Sequence, residues 1–287
     1  MKFEKLLELS KKESHLIDGW SGTLFGGGER PQFRNANLNL AAWLPSSLAA
    51  KKAAFTLAEV LITLGIIGVV AAITLPTLIQ NYQKQVWVNQ LKKTYSTLNE
   101  GLKRIAANEG CTTLGCAGLK YYDDDEMMGL DFSDERTKEK IVKEFKLENV
   151  FVGTPPSNSI YNYEIKNLYG DDKTSFQDFL DTDRGVVGTT PSGEIISFRY
   201  SNIIVDINGL KSPNTQGRDI FWFIYQNYNG SVIVVPALSK FNVSGEDEAE
   251  RIESVNVLCS GTSVGASFYG GISCAEKIIM DGWKMNY

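Results

Sequence analysis

The longest apolar stretch of the chain lies near its beginning. No charged residue occurs from Val60 to Gln83, and a helix of that length, at about 1.5 Å of rise per residue, exceeds the ~30 Å hydrocarbon core of a bilayer. Lys51 and Lys52 precede the stretch, and the positive-inside rule places their side in the cytoplasm. The pattern therefore predicts a single-pass membrane protein with an extracytoplasmic C-terminal part.

The apolar pattern changes after this stretch to one apolar residue every three to five positions. Such spacing predicts an amphipathic continuation of the same helix, and a core-facing stripe is favoured over a binding groove. Asn108 and Gly110 indicate where the helix ends. The stripe consists of Ile79, Tyr82, Val86, Leu91, Tyr95, Leu98, Leu102 and Ile105.

The remainder, residues 108–287, alternates short apolar runs with turn signals such as Asn229-Gly230. Residues 133–146 predict a helix capped by Ser133, and a short helix is expected from Cys274. We therefore predict an α+β fold in which a long N-terminal helix, transmembrane in its first half, packs on an antiparallel sheet. The expected strands are 160–166, 194–200, 202–207, 219–226 and 230–236.

Composition excludes several kinds of function. The net charge of −5 divides into +3 for residues 1–54 and −8 for residues 55–287, so the head lacks the basic patch that direct nucleic-acid binding needs. The single histidine, His15, lies before the apolar stretch. His-dependent triads, His-ligated zinc and His-based proton transfer are therefore excluded from the rest of the chain, and no enzymatic activity is expected.

Four cysteines all follow the apolar stretch, as expected for disulfides in an oxidising compartment. Free buried thiols are the alternative. Among three connectivities we favour Cys111–Cys116 and Cys259–Cys274, because neighbours in sequence close the smallest loops.

A motif stands at the start of the apolar stretch. Residues 51–59 read KKAAFTLAE and lead directly into the apolar run, with Glu59 as the one ionisable residue near its edge. This arrangement resembles the class III signal of type IV pilins and type II secretion pseudopilins. Gly68 and Pro76 fall where that family carries its helix-loosening residues.

The resemblance implies cleavage between Ala54 and Phe55 by a prepilin peptidase, followed by N-methylation of Phe55. The new α-amino group would be mostly protonated near neutral pH. In a filament core of low dielectric it would pair with Glu59 of a neighbouring subunit, relieving the cost of burying either charge alone. Snorkelling of Glu59 into the headgroups is the alternative.

Asp206, Asn208 and Asp219 place oxygen atoms around a turn, which suits a calcium ion. The spacing does not match an EF-hand loop, and a plain hairpin turn is the favoured interpretation. No other cofactor is expected.

These observations predict four segments: a leader removed at residue 54, a transmembrane and polymerisation helix over 55–79, its amphipathic continuation over 80–107, and a head over 108–287. The expected function is a filament subunit in the cytoplasmic membrane, with its assembled form outside. Its expected partners are other pilin-like subunits, the prepilin peptidase and the inner-membrane assembly machinery. A membrane-anchored binding module that does not polymerise is the alternative. The sequence does not separate adhesion, secretion and DNA-uptake filaments.

Overall fold

The computed structural model of the protein describes residues 55–124, 127–170, 173–176, 185–239, 247–260 and 270–287. The predicted leader, including Ala54, lies outside the described residues. The chain divides into two units after Glu59, and the second unit, Val60–Tyr287, contains the head.

The described residues form four helices and ten strands. The helices are α1 (Leu57–Asn108), α2 (Glu135–Phe145), α3 (Glu248–Leu258) and α4 (Cys274–Met280). The strands are β1 (Tyr121–Asp124), β2 (Met127–Leu130), β3 (Glu148–Val152), β4 (Glu164–Lys166), β5 (Lys173–Ser175), β6 (Val186–Thr189), β7 (Ile195–Arg199), β8 (Asn202–Asp206), β9 (Ile220–Tyr228) and β10 (Ser231–Pro236).

Helix α1 changes character along its 52 residues. It is the one helix among the described residues that is long and apolar enough to cross a membrane, and the side chains of that part are exposed. The second half buries one face against the head through Val88, Leu91, Leu98, Leu102 and Ile105.

The packing stripe is shorter than the sequence pattern indicates. Ile79 and Tyr82 were expected to continue it, but their side chains are 52% and 66% exposed. The buried contacts of α1 begin only at Val88, so these two residues belong to the exposed apolar part of the helix.

Six strands form one antiparallel sheet in the order β10-β9-β8-β7-β6-β3. The two hairpins β1–β2 and β4–β5 form separate two-stranded sheets. The α+β architecture predicted from the sequence is therefore confirmed. Of the predicted strands, those in the 194–236 region form four consecutive strands of the main sheet, β7 to β10.

Both faces of the main sheet are covered. Ile203 and Val205 of β8 point into the core shared with α1, whereas Ile204 between them joins a second core on the opposite face. Tyr161 and Phe176, from the segment before β6, complete this second core and are fully buried. This explains why the central strands are continuous apolar runs rather than alternating ones.

Several elements differ from the sequence prediction. Strands β1, β2, β3, β5 and β6 and helix α3 were not predicted, and of the expected strand 160–166 only β4 (Glu164–Lys166) forms. The cap of α2 is Asp134 rather than Ser133, since the Asp134 carboxylate accepts a hydrogen bond from the Thr137 backbone N–H at 3.0 Å. Aspartate at this position satisfies a helix-terminal N–H that would otherwise be unpaired.

Polar side chains of α1 fix its position on the sheet. The Asn99 side-chain amide donates to the Val234 carbonyl at 3.1 Å and accepts from the Val234 N–H at 2.9 Å. It therefore pairs with edge strand β10 in the way that the backbone of a neighbouring strand would. Between the same helix and the residue that precedes β7, the Thr94 hydroxyl donates to the Glu194 carboxylate at 3.2 Å. The Asn99 bonds both orient the helix and cover a sheet edge that is open to unwanted pairing.

Replacement of Asn99 by alanine is expected to destabilise the head by about 2 kcal/mol, because both backbone groups of Val234 lose their partner. Urea unfolding of the purified protein measures the change. The matched control is Asn89→Ala, at an exposed position of the same helix. Equal stability of the two variants would show that the amide pair contributes nothing.

Candidate functional site

The N-terminus of α1 carries the residues that the resemblance singles out. Phe55 is 82% exposed and lies two residues before the first residue of the helix. The Glu59 carboxylate lies in the first turn. Gly68 and Pro76 follow on the exposed half of the helix, and a Cβ built on Gly68 meets no atom within 4 Å. This side of the helix therefore leaves room for another helix to approach.

Thr56 and Glu59 hydrogen-bond to each other in both directions. The Thr56 backbone N–H donates to Glu59 Oε2 at 2.8 Å, and the Thr56 hydroxyl donates to the same oxygen at 2.9 Å. The Glu59 N–H in turn donates to the Thr56 hydroxyl at 3.2 Å. This is a capping box, which satisfies N–H groups that a helix start leaves unpaired.

The capping role of Thr56 was not predicted from the sequence. A threonine three residues before a glutamate, at the start of an apolar run, is the sequence signal of a capping box and would have identified it. Both Thr56 donors use Oε2, so the arrangement leaves Glu59 Oε1 for another donor. Capping and pairing with a second subunit are therefore compatible roles for one carboxylate.

Polar groups within the exposed apolar part are satisfied inside the helix. The hydroxyls of Thr63, Thr74 and Thr77 each donate at 2.9 Å to a backbone carbonyl three or four residues earlier. Pro76 has no N–H, and the helix continues through it. A surface with its hydroxyls turned back onto its own backbone suits a lipid environment, where no water can satisfy them.

Residues 49–75 match the family model for the prokaryotic N-terminal methylation motif. The chain carries the prepilin-type signal. This is the cleavage and methylation signal of type IV pilins and pseudopilins. The matched region ends at residue 75, directly before Pro76. Comparison with curated proteins and with solved structures gives no match.

Two disulfides cross-link the head of this pilin-like chain. Cys111–Cys116 closes a short loop just after α1, with 5.7 Å between the Cα atoms. Cys259–Cys274 joins the end of α3 to the start of α4, with 5.1 Å between the Cα atoms, and both of its cysteines are buried. These are the pairs that the sequence spacing favours.

Asp206, Asn208 and Asp219 come together at the β8–β9 connection. The two aspartate side chains are fully buried. Asp219 accepts hydrogen bonds from the Asn208 side-chain amide at 3.0 Å and from the backbone N–H groups of Asn214 at 2.8 Å and Thr215 at 2.6 Å. These bonds hold the β8–β9 connection in place around the single carboxylate of Asp219.

Asp206 is held by a second set of donors. The Tyr163 hydroxyl donates to one of its oxygens at 2.8 Å, and the Asn208 N–H donates to the other at 3.2 Å. The Tyr163 contact links the β8–β9 connection to the layer that covers the second face of the sheet. Nothing in the spacing of the sequence indicated this tyrosine.

Burial raises the pKa of Asp206 to about 8, and the negative charge of Asp219 adds to the shift. Burial likewise raises the pKa of Asp219 to about 6, although the N–H groups of Thr215 and Asn214 oppose the shift. Near neutral pH, Asp206 therefore keeps its proton in the folded protein.

The donor set bears on the predicted calcium site. The oxygens of both aspartates already accept hydrogen bonds, which compete with a cation for the same lone pairs. The Oδ1 atoms of Asn208 and Asn214 are buried without a hydrogen-bond partner. No cluster of three His, Cys, Asp or Glu suited to a metal occurs in the part of the chain that the structure describes. Calcium binding stays a prediction.

The thermal stability of the head is expected to fall as the pH rises from 5 to 8 without calcium. An unfolded aspartate loses its proton near pH 4, whereas Asp206 retains it in the folded state, so the unfolded state binds fewer protons over this range. One retained proton lowers the free energy of unfolding by at most about 1.4 kcal/mol for each pH unit. Over this range the loss corresponds to a fall of several degrees in Tm. Differential scanning calorimetry across this range measures it.

Asp206→Asn should flatten this dependence, whereas the control Asp247→Asn, at the exposed cap of α3, should leave it unchanged because asparagine caps equally well. No histidine after residue 54 adds its own titration in this range. A pH-independent Tm in the unmodified protein would contradict the prediction. Calcium that raises Tm at pH 8 only when Asp206 is present would support the calcium site.

Proposed function

We propose that the protein is a structural subunit of a filament of the type IV pilus or type II secretion class. It is matured by cleavage before Phe55 and methylation of the new N-terminus. The observation that carries the proposal is the methylation motif at residues 49–75, which overlaps the start of a helix whose large apolar side chains from Val60 to Ile79 are exposed in the described part of the chain. The second half of the same helix holds the head in place.

The exposed apolar half needs a partner that the head does not supply. A continuous apolar surface of this length is far larger than the apolar patches of soluble monomers. From Val60 to Ile79 a helix rises about 30 Å, which matches the hydrocarbon core of a bilayer. Lipid covers this surface before assembly, and the corresponding helices of neighbouring subunits cover it in the filament. The head remains on the extracytoplasmic side.

The partners follow from this pathway. A prepilin peptidase processes the leader, inner-membrane machinery extracts the subunit, and other pilin-like subunits receive it. The net negative charge of residues 55–287 disfavours direct binding to nucleic acid. The role is structural, with no catalytic step assigned to any residue of the chain.

Glu59 sets the register between subunits in this proposal. Its capping bonds use Oε2, and the protonated amino group of Phe55 from a neighbouring subunit pairs with the same carboxylate. Within the filament core each charge would be costly alone, and the pair removes that cost. The helices therefore assemble at the one axial offset that brings the two groups together.

The mature protein is expected to begin at N-methylated Phe55. Intact-mass and N-terminal analysis of membrane-extracted protein measures this directly. The control is the variant Ala54→Trp, in which Phe55 is unchanged. Its bulky side chain directly before the cleavage site should block cleavage, so the precursor should accumulate. A mature protein that keeps residues 1–54, or begins after Pro76, would exclude the proposal.

Three variants separate the two roles of Glu59. Glu59→Ala and Glu59→Gln both remove the charge, but glutamine still completes a capping box. Thr56→Ala removes the cap and keeps the charge. Both Glu59 variants are expected to reduce assembly by at least about a hundredfold, since leaving one partner of a buried pair costs ~3–5 kcal/mol. Thr56→Ala should still assemble.

The measurement is the ratio of processed protein in sheared fibres to processed protein in the membrane fraction. All three variants should insert and mature, which the mass analysis checks. Normal fibres from Glu59→Gln would disprove the charge pairing. An unmodified protein that is processed but forms no fibre would favour the membrane-anchored binding module instead.

A further inference from the structure

The two disulfides of the head differ in their access to solvent. Cys259 and Cys274 are 1% and 0% exposed and belong to the core shared with α1. Cys116 is exposed, whereas its partner Cys111 is half-buried and packs against that core. A thiolate in solution therefore has access to the Cys111–Cys116 bond from the Cys116 side. The Cys259–Cys274 bond becomes accessible only when the head opens.

The loop that Cys111–Cys116 closes also covers part of a sheet edge. Strand β10 is the last strand of the main sheet, and its strand partner there is β9. On the side away from β9, the Val232 N–H donates to the Thr112 carbonyl of the loop at 3.0 Å. The Val234 N–H donates to the Asn99 side chain of α1 at 2.9 Å. Loop and helix thus cover neighbouring positions of one edge, and the loop is the element that a disulfide closes.

The disulfide restricts the part of the loop that contains Thr112. Leu114 is fully buried in the core shared with α1, so packing anchors the middle of the loop. Directly after the loop, the Lys140 ammonium donates to the Ala117 carbonyl at 3.0 Å. Thr112 itself is exposed and adjoins Cys111. Because the bond closes a ring over a sequence separation of 5, it removes backbone conformations in which the Thr112 carbonyl would turn away from β10.

We propose that Cys111–Cys116 is a thiol-exchange site for a dithiol reductant, and that its reduction opens the edge of β10 at Val232. Exposed disulfides exchange more readily than buried ones, and an uncovered strand edge is able to pair with another strand. The bond is thus a redox-sensitive device that keeps this edge closed. The proposal goes beyond the filament role and does not depend on it, because the bond and the covered edge both lie within the head.

The exchange proceeds in two steps. A thiolate of the reductant attacks the Cys116 sulfur, the bond between the two cysteines breaks, and Cys111 leaves as a thiolate that takes up a proton. The second thiol of the reductant loses its proton and attacks the reductant's own sulfur in the mixed disulfide, which releases Cys116 as a thiolate that is protonated in turn. Two electrons pass to the protein, which gains two thiols, and the reductant becomes a disulfide.

The first measurement is the rate of reduction in the folded protein. The full mature chain is extracted in a non-ionic detergent and treated with dithiothreitol, and the thiols are alkylated with N-ethylmaleimide and located by peptide mapping. Cys111 and Cys116 are expected to be labelled at least about a hundredfold faster than Cys259 and Cys274, since a buried bond reacts only in a rare open state. Unfolding in urea should remove the difference.

A monothiol identifies the sulfur that is attacked. Reduced glutathione replaces dithiothreitol, and N-ethylmaleimide then blocks the released thiol before it can displace the adduct. Fragmentation of the peptide that contains both cysteines locates the glutathionyl group. It is expected on Cys116, with the maleimide on Cys111, because Cys116 is the exposed partner.

The second measurement is hydrogen exchange of two backbone N–H groups on the same edge, followed by NMR in protein that carries isotope-labelled valine. Reduction should accelerate exchange at Val232 about thirtyfold, since closing so short a ring contributes on the order of 2 kcal/mol. Exchange at Val234 should stay within about twofold, because the Asn99 side chain of α1 covers it in both states. Val234 is therefore the matched control.

The variant Cys111→Ser with Cys116→Ser should show the fast Val232 exchange without any reductant. If this variant does not fold, the reduced unmodified protein gives the same readout. Four results would overturn the proposal: equal labelling rates for the two disulfides, a glutathionyl group on Cys111, unchanged exchange at Val232 after reduction, or equal acceleration at Val232 and Val234. The last result would show that reduction loosens the whole head rather than one position of the edge.

Discussion

The burial of one face of α1 against the antiparallel sheet is the interaction on which the rest of the molecule depends. Leu91, Leu98 and Leu102 are almost completely buried, and the sheet side of that contact is formed by apolar residues of several strands. Because the helix is continuous, fixing its second half also fixes the direction in which its apolar half from Val60 leaves the head.

The sheet can serve as this platform because both of its faces and one edge are covered by the same chain. The second core around Tyr161 and Phe176 protects the face away from α1. Asn99 and the Thr112 carbonyl occupy backbone groups of edge strand β10, with the Val232 N–H donating to Thr112 at 3.0 Å. Covered edges limit strand-to-strand association between heads.

The first turn of α1 meets two demands with one carboxylate. As part of a capping box, Glu59 helps to start a helix in a region where unpaired N–H groups are costly. As a charge near the edge of an apolar span, it would be costly to bury alone, and the proposed pairing with a neighbouring Phe55 amino group would offset that cost. Both capping bonds use Oε2, so the cap would leave Oε1 for the proposed pairing.

The sequence by itself determined the features that depend on local order along the chain. The apolar run, the motif around Phe55 and Glu59, and the period of the stripe from Leu91 to Ile105 predicted a membrane-length helix continuing into a head. The strands from β7 to β10 were also readable, because apolar runs and turn residues alternate there. These signals are local, so neighbours in sequence are enough to carry them.

Tertiary structure alone decided which surfaces are covered. Ile79 and Tyr82 fit the stripe by spacing, yet they are exposed because the fully buried positions of α1 begin only at Val88. A strand was predicted for residues 160–166, but the pattern did not indicate that Tyr161 and Phe176 would be buried, since the residues that cover them come from strands distant in sequence. The pairing of Tyr163 with Asp206 arises for the same reason. Burial depends on what folds back onto a residue, and spacing along the chain does not encode that.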